Sequence, residues 1–287
     1  MSRVAPEITD HDIGPSDESP GEGPGKGAAR IVAFKPGQPG PAFFLVPGTG
    51  GRIEGFADLA NHLDTTMPVY GIEARGVDDD SEPDDDLDEL VDHYLEQVTR
   101  LQPHGPYFLL GHSFGGMVVF EMAQRLLKAG QPIGCLIMLD TLTPKPYWPL
   151  SFWMVNIRER MRQHAVRLFT NHPKTSFAYY SRRYVLKRRG LEGIPEDLQF
   201  GKDGARMLLA NEMLLKRWKP FFYPGKLTLF CAADTKDLSL LWHDLVKELD
   251  YQRATGTHIG LIKPPYVASL AHDISRSLSA AATGPAT

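Results

Sequence analysis

Hydrophobic residues in this chain fall into short unbroken runs, separated by stretches in which they recur every three or four positions. The runs Ile31 to Phe34, Ala42 to Val46, Val69 to Ile72, Tyr107 to Leu110, Cys135 to Leu139, Leu227 to Ala232 and Tyr251 to Ala254 predict strands. Unbroken apolar runs of this length mark strands buried on both faces. The clearest helical pattern is Leu87, Leu90, Val91, Tyr94, Leu95, Val98 and Leu101. Asp84, Asp85 and Asp86 precede it, where carboxylates cap free N–H groups and favour the helix dipole. Further helices are predicted over Met117 to Leu127 and Leu238 to Leu249. Alternating strands and helices imply an α/β fold with a mostly parallel sheet flanked by helices. No internal repeat interrupts the rhythm.

The interval from about Thr141 to Phe222 does break it. It separates two strands that a short crossover would join, and a structureless loop of that length is foreign to compact domains. Helical patterns cover about Phe152 to Phe169, Thr175 to Arg189 and Asp203 to Trp218, with Trp153, Ile157, Met161, Tyr184 and Met207 on their apolar faces. An inserted helical cap over one edge of the sheet is expected. Residues 1–29 are rich in Gly, Pro, Ser, Asp and Glu with almost no large apolar side chain, and are expected to form a disordered linker or tail. The organisation read from the sequence is therefore tail 1–29, core 30–141 and 223–281, helical insertion 142–222 and flexible tail 282–287.

Composition adds three constraints. With 287 residues, 42% of them hydrophobic, the chain can bury one sizeable α/β core. It has no apolar stretch of membrane-spanning length, and its polar, acidic start has no signal-like hydrophobic run, so no membrane association or secretion is expected. Cys135 and Cys231 lie inside strand patterns and read as buried thiols of a cytoplasmic protein, with neither metal-ligand spacing nor a disulfide framework.

The chemistry is concentrated in Gly111-His112-Ser113-Phe114-Gly115-Gly116, which follows one apolar run and precedes a helical one. A strand, a sharp turn carrying one serine and a helix together present Ser113 as a nucleophile. The glycines permit the close strand–helix crossing, and the N–H of Phe114 stands at a helix start where it can bind an oxyanion. A serine needs a histidine base and an orienting acid, and this architecture supplies them in the order serine, acid, histidine. Asp140 ends the next strand, at the edge where ligands of open α/β sheets collect. Asp234 and Asp237, after the Leu227 to Ala232 strand, compete with it. His258, in Gly256-Thr257-His258-Ile259-Gly260, is the base. His112 should point away from Ser113 and be structural. His62, His93, His164, His172, His243 and His272 lie in helical or cap patterns, His11 on the tail and His104 on a loop.

These residues carry a family resemblance. From about Ile31 to Leu278 the chain resembles the α/β-hydrolase thioesterase domains that end nonribosomal peptide synthetase and polyketide synthase assembly lines. The carriers are Phe44-Leu45-Val46-Pro47-Gly48-Thr49-Gly50-Gly51, Pro68-Val69-Tyr70-Gly71-Ile72-Glu73-Ala74-Arg75-Gly76, the serine turn, Leu139-Asp140-Thr141, Tyr223-Pro224-Gly225 and Gly256-Thr257-His258. The Tyr-Gly-Ile-Glu-Ala-Arg-Gly segment, combined with an acid just after the nucleophile helix, is the most specific of them. The resemblance favours Asp140 over Asp234 and assigns a second oxyanion donor to the N–H of Thr49. It also implies a helical lid over 142–222 and a carrier domain upstream of a linker such as 1–29. On that footing the chain is a free-standing enzyme or the terminal domain of a synthase. Two departures stand out: Val46-Pro47-Gly48 where His-Pro is frequent, and Thr257 where an acid or amide often precedes the histidine. The glycine-rich loop is not followed by Gly-Lys-Ser/Thr, which argues against nucleotide binding.

The expected function is release of an acyl, polyketide or peptidyl chain from the phosphopantetheine thioester of a carrier protein, by hydrolysis or macrocyclisation through a Ser113 acyl-enzyme. No metal and no cofactor of its own are expected. Trp153, Ile157, Met161, Tyr184 and Met207 are the expected lining of the acyl channel. The net charge of −4 conceals an asymmetry, since residues 142–222 hold sixteen Lys and Arg against six acids. A basic lid, with Arg182, Arg183, Lys187, Arg188 and Arg189 at its centre, suits an acidic carrier protein bearing a phosphate, or is a solvated helix face. No recognition motif accompanies it, so nucleic acid is not an expected partner. The competing readings are a free-standing carboxylesterase or lipase and a non-catalytic module that binds carriers.

Overall fold

A computed structural model of the chain describes residues 29–77, 81–170 and 202–283. Seven strands form one sheet: β1 (Arg30–Lys35), β2 (Phe43–Val46), β3 (Val69–Glu73), β4 (Tyr107–His112), β5 (Ile133–Leu139), β6 (Tyr223–Ala232) and β7 (Val246–Ala254), in the order β1-β3-β2-β4-β5-β6-β7. β1 runs antiparallel to β3, and every other neighbouring pair is parallel. The helices are α1 (Ala57–His62), α2 (Leu87–Leu101), α3 (Phe114–Lys128), α4 (Leu150–Thr170), α5 (Lys202–Arg217), α6 (Ser239–Trp242) and α7 (Val267–Thr283).

Alternation along the central strands explains their unbroken hydrophobicity. Phe44, Val46, Tyr107 and Leu109 face a core closed by α2 and α3, while Phe43, Leu45, Phe108 and Leu110 face one closed by α1 and α7. Successive side chains point to opposite sides of a strand, so a sheet covered on both faces must be apolar at every position. The strand order reverses between β2 and β4. Their following loops therefore diverge and leave a crevice at the C-terminal edge, the usual ligand position in such sheets.

Two local expectations are corrected. The segment expected to form a helix over Leu238 to Leu249 holds only the short α6, and from Val246 the chain becomes strand β7, paired with β6 at Tyr223↔Val246 and, after a register shift, from Lys226↔Glu248 to Ala232↔Ala254. Its apolar spacing fits a helix, but the backbone groups along β6 need partners, and the ladder supplies more hydrogen bonds than local periodicity can offset. Of the three aspartates before α2 only Asp86 caps it, accepting from the N–H groups of Asp88 (2.8 Å) and Glu89 (3.2 Å). Asp84 is instead buried, 3.0 Å from His93 Nδ1 and 3.7 Å from Arg75 Nη1. Burial pushes its carboxyl up, against the opposing pull of His93 and Arg75. α3 begins at Phe114, the residue expected at the helix start, and takes in the Met117 to Leu127 pattern.

Between β5 and β6 the described chain forms α4 and α5. The third helix expected there, Thr175 to Arg189, falls outside the described residues, as do Tyr184, the basic cluster Arg182 to Arg189 and residues 1–28. No helix among the described residues is long and apolar enough to cross a membrane.

Candidate active site

β4 delivers Ser113 to the sheet edge in a conformation that L-residues seldom adopt, φ 55° and ψ −116°. Such strain persists only where the surroundings over-determine it. Here Ser113 N–H donates to Leu139 O on β5 (2.8 Å), and the first turn of α3 passes very close to β2 and β4. A Cβ on Gly115 would stand 2.3 Å from the carbonyl oxygens of Val46 and Pro47, and one on Gly111 would stand 2.1 Å from Gly115 O. Those two glycines are therefore required by close approach rather than by flexibility.

Asp140 occupies the equivalent place after β5 and also has positive φ, 50°. It is 2% exposed. Its Oδ1 accepts Ala232 N–H (3.0 Å), and its Oδ2 accepts Thr235 Oγ1–H (2.7 Å) and His258 Nδ1–H (2.6 Å). Burial alone would raise this carboxyl's pKa, but the hydrogen bonds from His258, Thr235 and Ala232 outweigh it, and the group lies below its ordinary value. It is thus ionised and acceptor-only at neutral pH. An acceptor at Nδ1 leaves His258 Nε2 as the basic nitrogen, and Ser113 Oγ–H donates to it across 3.0 Å. Ser113, His258 and Asp140, spread over 145 residues of sequence, are joined in one hydrogen-bonded line.

Asp234, the competing acid, binds the same histidine elsewhere: its Oδ1 accepts the His258 backbone N–H at 3.2 Å. Asp237 accepts from Ser239 N–H and Oγ–H, at the start of α6. Thr257 accepts Gly260 N–H through Oγ1 at 3.1 Å and so closes the turn that carries His258.

His112 was expected to be structural, and its position explains how. Its Nε2–H donates to His258 O at 2.8 Å, and the two rings lie 5.0 Å apart between centroids. Burial and the neighbouring His258 push its pKa down to about 4, so it stays a neutral donor. The unfolded chain takes up a proton here near the ordinary value of about 6.5 and the folded chain does not. This group's stabilisation is therefore complete above that value and is lost as pH falls towards 4, by about 3 kcal/mol. Denaturant titrations at several pH values should show His112→Gln losing less stability than the wild type over that range. Equal losses would refute the assignment.

The remaining expected residues are dispersed. Ile157 and Met161 project from α4 and are 52% and 67% exposed, while Trp153 is half-buried against Trp148, with ring centroids 5.0 Å apart. Met207, on α5, is buried beside Gly51 and does not share the exposure of the α4 residues. Thr49 lies in the turn after β2, whose Gly48 abuts Ser113. Sequence reasoning missed Thr235 and Ala232, since nothing in their identity marks an acid's partners. It also missed Asn211, whose Nδ2–H donates to Thr49 O at 2.9 Å. Among the described residues no group of three or more His, Cys, Asp or Glu could hold a metal ion.

The parallel sheet with one antiparallel edge strand, the serine turn after β4 and the helices inserted after β5 define an α/β-hydrolase. A profile of the thioesterase domain matches residues 41–278, and the chain belongs to that family and is a hydrolase of it. Malpinin synthetase from Mortierella alpina is 41% identical over 111 residues, which are 39% of this chain and 1% of that protein. The dimodular nonribosomal peptide synthase from Bacillus subtilis (strain 168) is 38% identical over 111 residues, 39% of this chain and 5% of that protein. The chain thus spans a small fraction of the length of these curated relatives. Among solved structures, the NocB thioesterase domain in covalent complex with a fluorophosphonate nocardicin G analogue superimposes with a TM-score of 0.62 at 23% identity, covering 87% of this chain and 99% of that one.

Proposed function

We propose that this thioesterase releases an acyl, polyketide or peptidyl chain from the phosphopantetheine arm of a carrier protein through an acyl-enzyme on Ser113. The observation that carries this reading is the line from the buried, ionised Asp140 through His258 to the strained Ser113. His258 Nε2 takes the serine proton as Oγ bonds to the thioester carbonyl carbon, and the tetrahedral oxygen is held by the N–H groups of Phe114 and Thr49. The C–S bond then breaks, and His258 returns the proton to the departing pantetheine thiol. Water, or an amine or hydroxyl of the chain itself, attacks the ester with His258 again as base, giving a free acid or a ring and restoring Ser113. Asp140 holds the imidazole in its Nδ1–H tautomer and stabilises the cation formed in each half.

In the same reading residues 142–222 form a lid over the active-site edge of the sheet, with Trp153, Ile157, Met161, Tyr184 and Met207 along the acyl chain's path. The exposed apolar residues Leu150, Met154, Ile157 and Met161 on α4 support a lid that meets an apolar acyl group. The two free, buried cysteines suit a reducing compartment, and the cytoplasm is the proposed location.

Intact-protein mass spectrometry after incubation with acyl-pantetheine thioesters tests the mechanism: an adduct of acyl mass on Ser113 is expected. Turnover of simple aryl esters with no adduct and no turnover from thioesters would make the protein a carboxylesterase instead. Carrier docking has its own test. If the basic residues of 142–222 meet an acidic carrier, moderate salt should lower kcat/KM for a carrier-bound thioester far more than for free acyl-pantetheine, because exposed charges are screened beyond about 8 Å at physiological ionic strength. Replacing Arg182, Arg183, Lys187, Arg188 and Arg189 with Gln should abolish the difference. Equal salt sensitivity for both substrates would place docking on another surface.

A further inference from the structure

Three of the four residues Gly48-Thr49-Gly50-Gly51 are glycine, so this turn has little stiffness of its own. Its shape is imposed by its neighbours. Gly48 lies on the serine turn, where a Cβ would stand 3.5 Å from Ser113 Cβ and 3.6 Å from His112 Nδ1. Gly51 N–H closes the turn onto Gly48 O (3.0 Å), and Ala74 N–H, just after β3, donates to Gly51 O (3.1 Å). The remaining support comes from α5, in the interval inserted between β5 and β6. Met207 Cγ lies 3.4 Å from the Cβ position of Gly51, and Asn211 Nδ2–H donates to Thr49 O at 2.9 Å. A carbonyl only accepts, so the amide nitrogen must be the atom facing Thr49.

Asn211 is 1% exposed, and its Oδ1 is buried with no hydrogen-bond partner among the described residues. A half-satisfied buried amide is a poor choice for stability, because an apolar side chain of the same size carries no desolvation cost. What it supplies is one directed bond to the backbone beside the nucleophile.

We propose that Asn211 is a positioning residue for the oxyanion site: it holds the Thr49–Gly50 peptide through the Thr49 carbonyl and, together with the Gly51 N–H bond to Gly48 O, keeps the preceding Gly48–Thr49 peptide, and so the Thr49 N–H, in place. The inference rests on the reading of Thr49 as an oxyanion donor. It makes the oxyanion site a joint product of the core and the inserted helices. α5 carries Asn211, Met207 and Arg206, the last ion-paired with Glu82 on the loop before α2. A shift of α5 would therefore release the Thr49 donor without moving Phe114, Ser113, His258 or Asp140, so chemistry is linked to how the inserted helices sit.

Asn211→Leu removes the donor while filling the space. It should lower kcat for a free acyl-pantetheine thioester by about 10- to 100-fold with KM little changed, since losing an oxyanion donor outright costs 10²–10³ and here the donor is only released. Affinity for an alkyl boronic acid, which forms a tetrahedral adduct on serine, should fall in parallel. Asn211→Asp is the conservative partner. As a buried acid facing a carbonyl it is protonated more readily than usual, and its O–H then replaces the amide donor, so its activity relative to wild type should rise as pH falls. Hydrogen exchange at residues 48–51 reads the brace without catalysis and should accelerate in Asn211→Leu. An active wild type whose kcat, boronate affinity and loop exchange all ignore Asn211→Leu overturns the inference. An inactive wild type with an Asn211-dependent turn overturns the assigned reaction instead, and leaves the brace standing as a structural contact.

Discussion

Ser113→Ala should fold normally, fail to form any acyl adduct and turn over acyl-pantetheine about 10⁶-fold more slowly than the wild type, the loss seen when a triad nucleophile is removed. The fold should tolerate the change because among the described residues the Ser113 side chain makes one hydrogen bond, to His258, whereas its backbone is held independently by the bond to Leu139 O. Removing Oγ leaves both the strained turn and the N–H of Phe114 in place. The small residual rate then reports only transition-state stabilisation by the oxyanion donors and by binding. Matched denaturant midpoints together with turnover within tenfold of wild type would end the covalent mechanism and move the nucleophile elsewhere.

Asp140→Asn should lower kcat by about 10⁴-fold. The amide is nearly isosteric, so packing survives, but its electrostatics are wrong. Asp140 now accepts three hydrogen bonds, from Ala232, Thr235 and His258, and an amide placed there must turn one NH2 donor towards groups that are themselves donors. If the amide nitrogen faces His258, the ring is driven to the tautomer that puts a proton on Nε2 and cannot accept from Ser113. The counter-charge for the imidazolium disappears as well. Asp234→Asn, by contrast, keeps an acceptor for the His258 backbone N–H and should change kcat by less than tenfold. The contrast is the informative part. A severe Asp234→Asn beside a mild Asp140→Asn would transfer the orienting role to the loop after β6, despite the 2.6 Å bond to Asp140.

The architecture was largely readable along the chain because a sheet buried on both faces leaves an unmistakable mark. Phe43 to Val46 and Tyr107 to Leu110 cannot face water on either side, and Leu90, Val91, Tyr94 and Val98 line the single buried face of α2. The serine turn was readable for a local reason too, since Gly111 and Gly115 answer a contact made within the strand–turn–helix unit and with β2 beside it. Where the sequence misled, the deciding interaction was non-local. Leu238, Leu241, Leu245 and Leu249 have helical spacing, yet Val246 to Ala254 pairs with β6, because hydrogen bonds across the sheet outweigh local periodicity.

By itself, then, the sequence determined the class of fold, the serine on its turn and the set of residues able to serve it, since each depends on spacing within a few positions. Spacing alone left Asp140 and Asp234 both open, the resemblance favoured Asp140, and the contact with the imidazole ring was decided in three dimensions. Asp140 and Asp234 both follow strands at the same sheet edge, but the positive φ of Asp140 and the donors Ala232 and Thr235 aim one carboxylate at Nδ1, while the other meets the backbone. The same holds for Asn211, 162 residues from the Thr49 carbonyl it binds. Hydrogen bonds act over about 3 Å and demand alignment, and contacts so short and directional between distant segments leave no periodic trace in the chain.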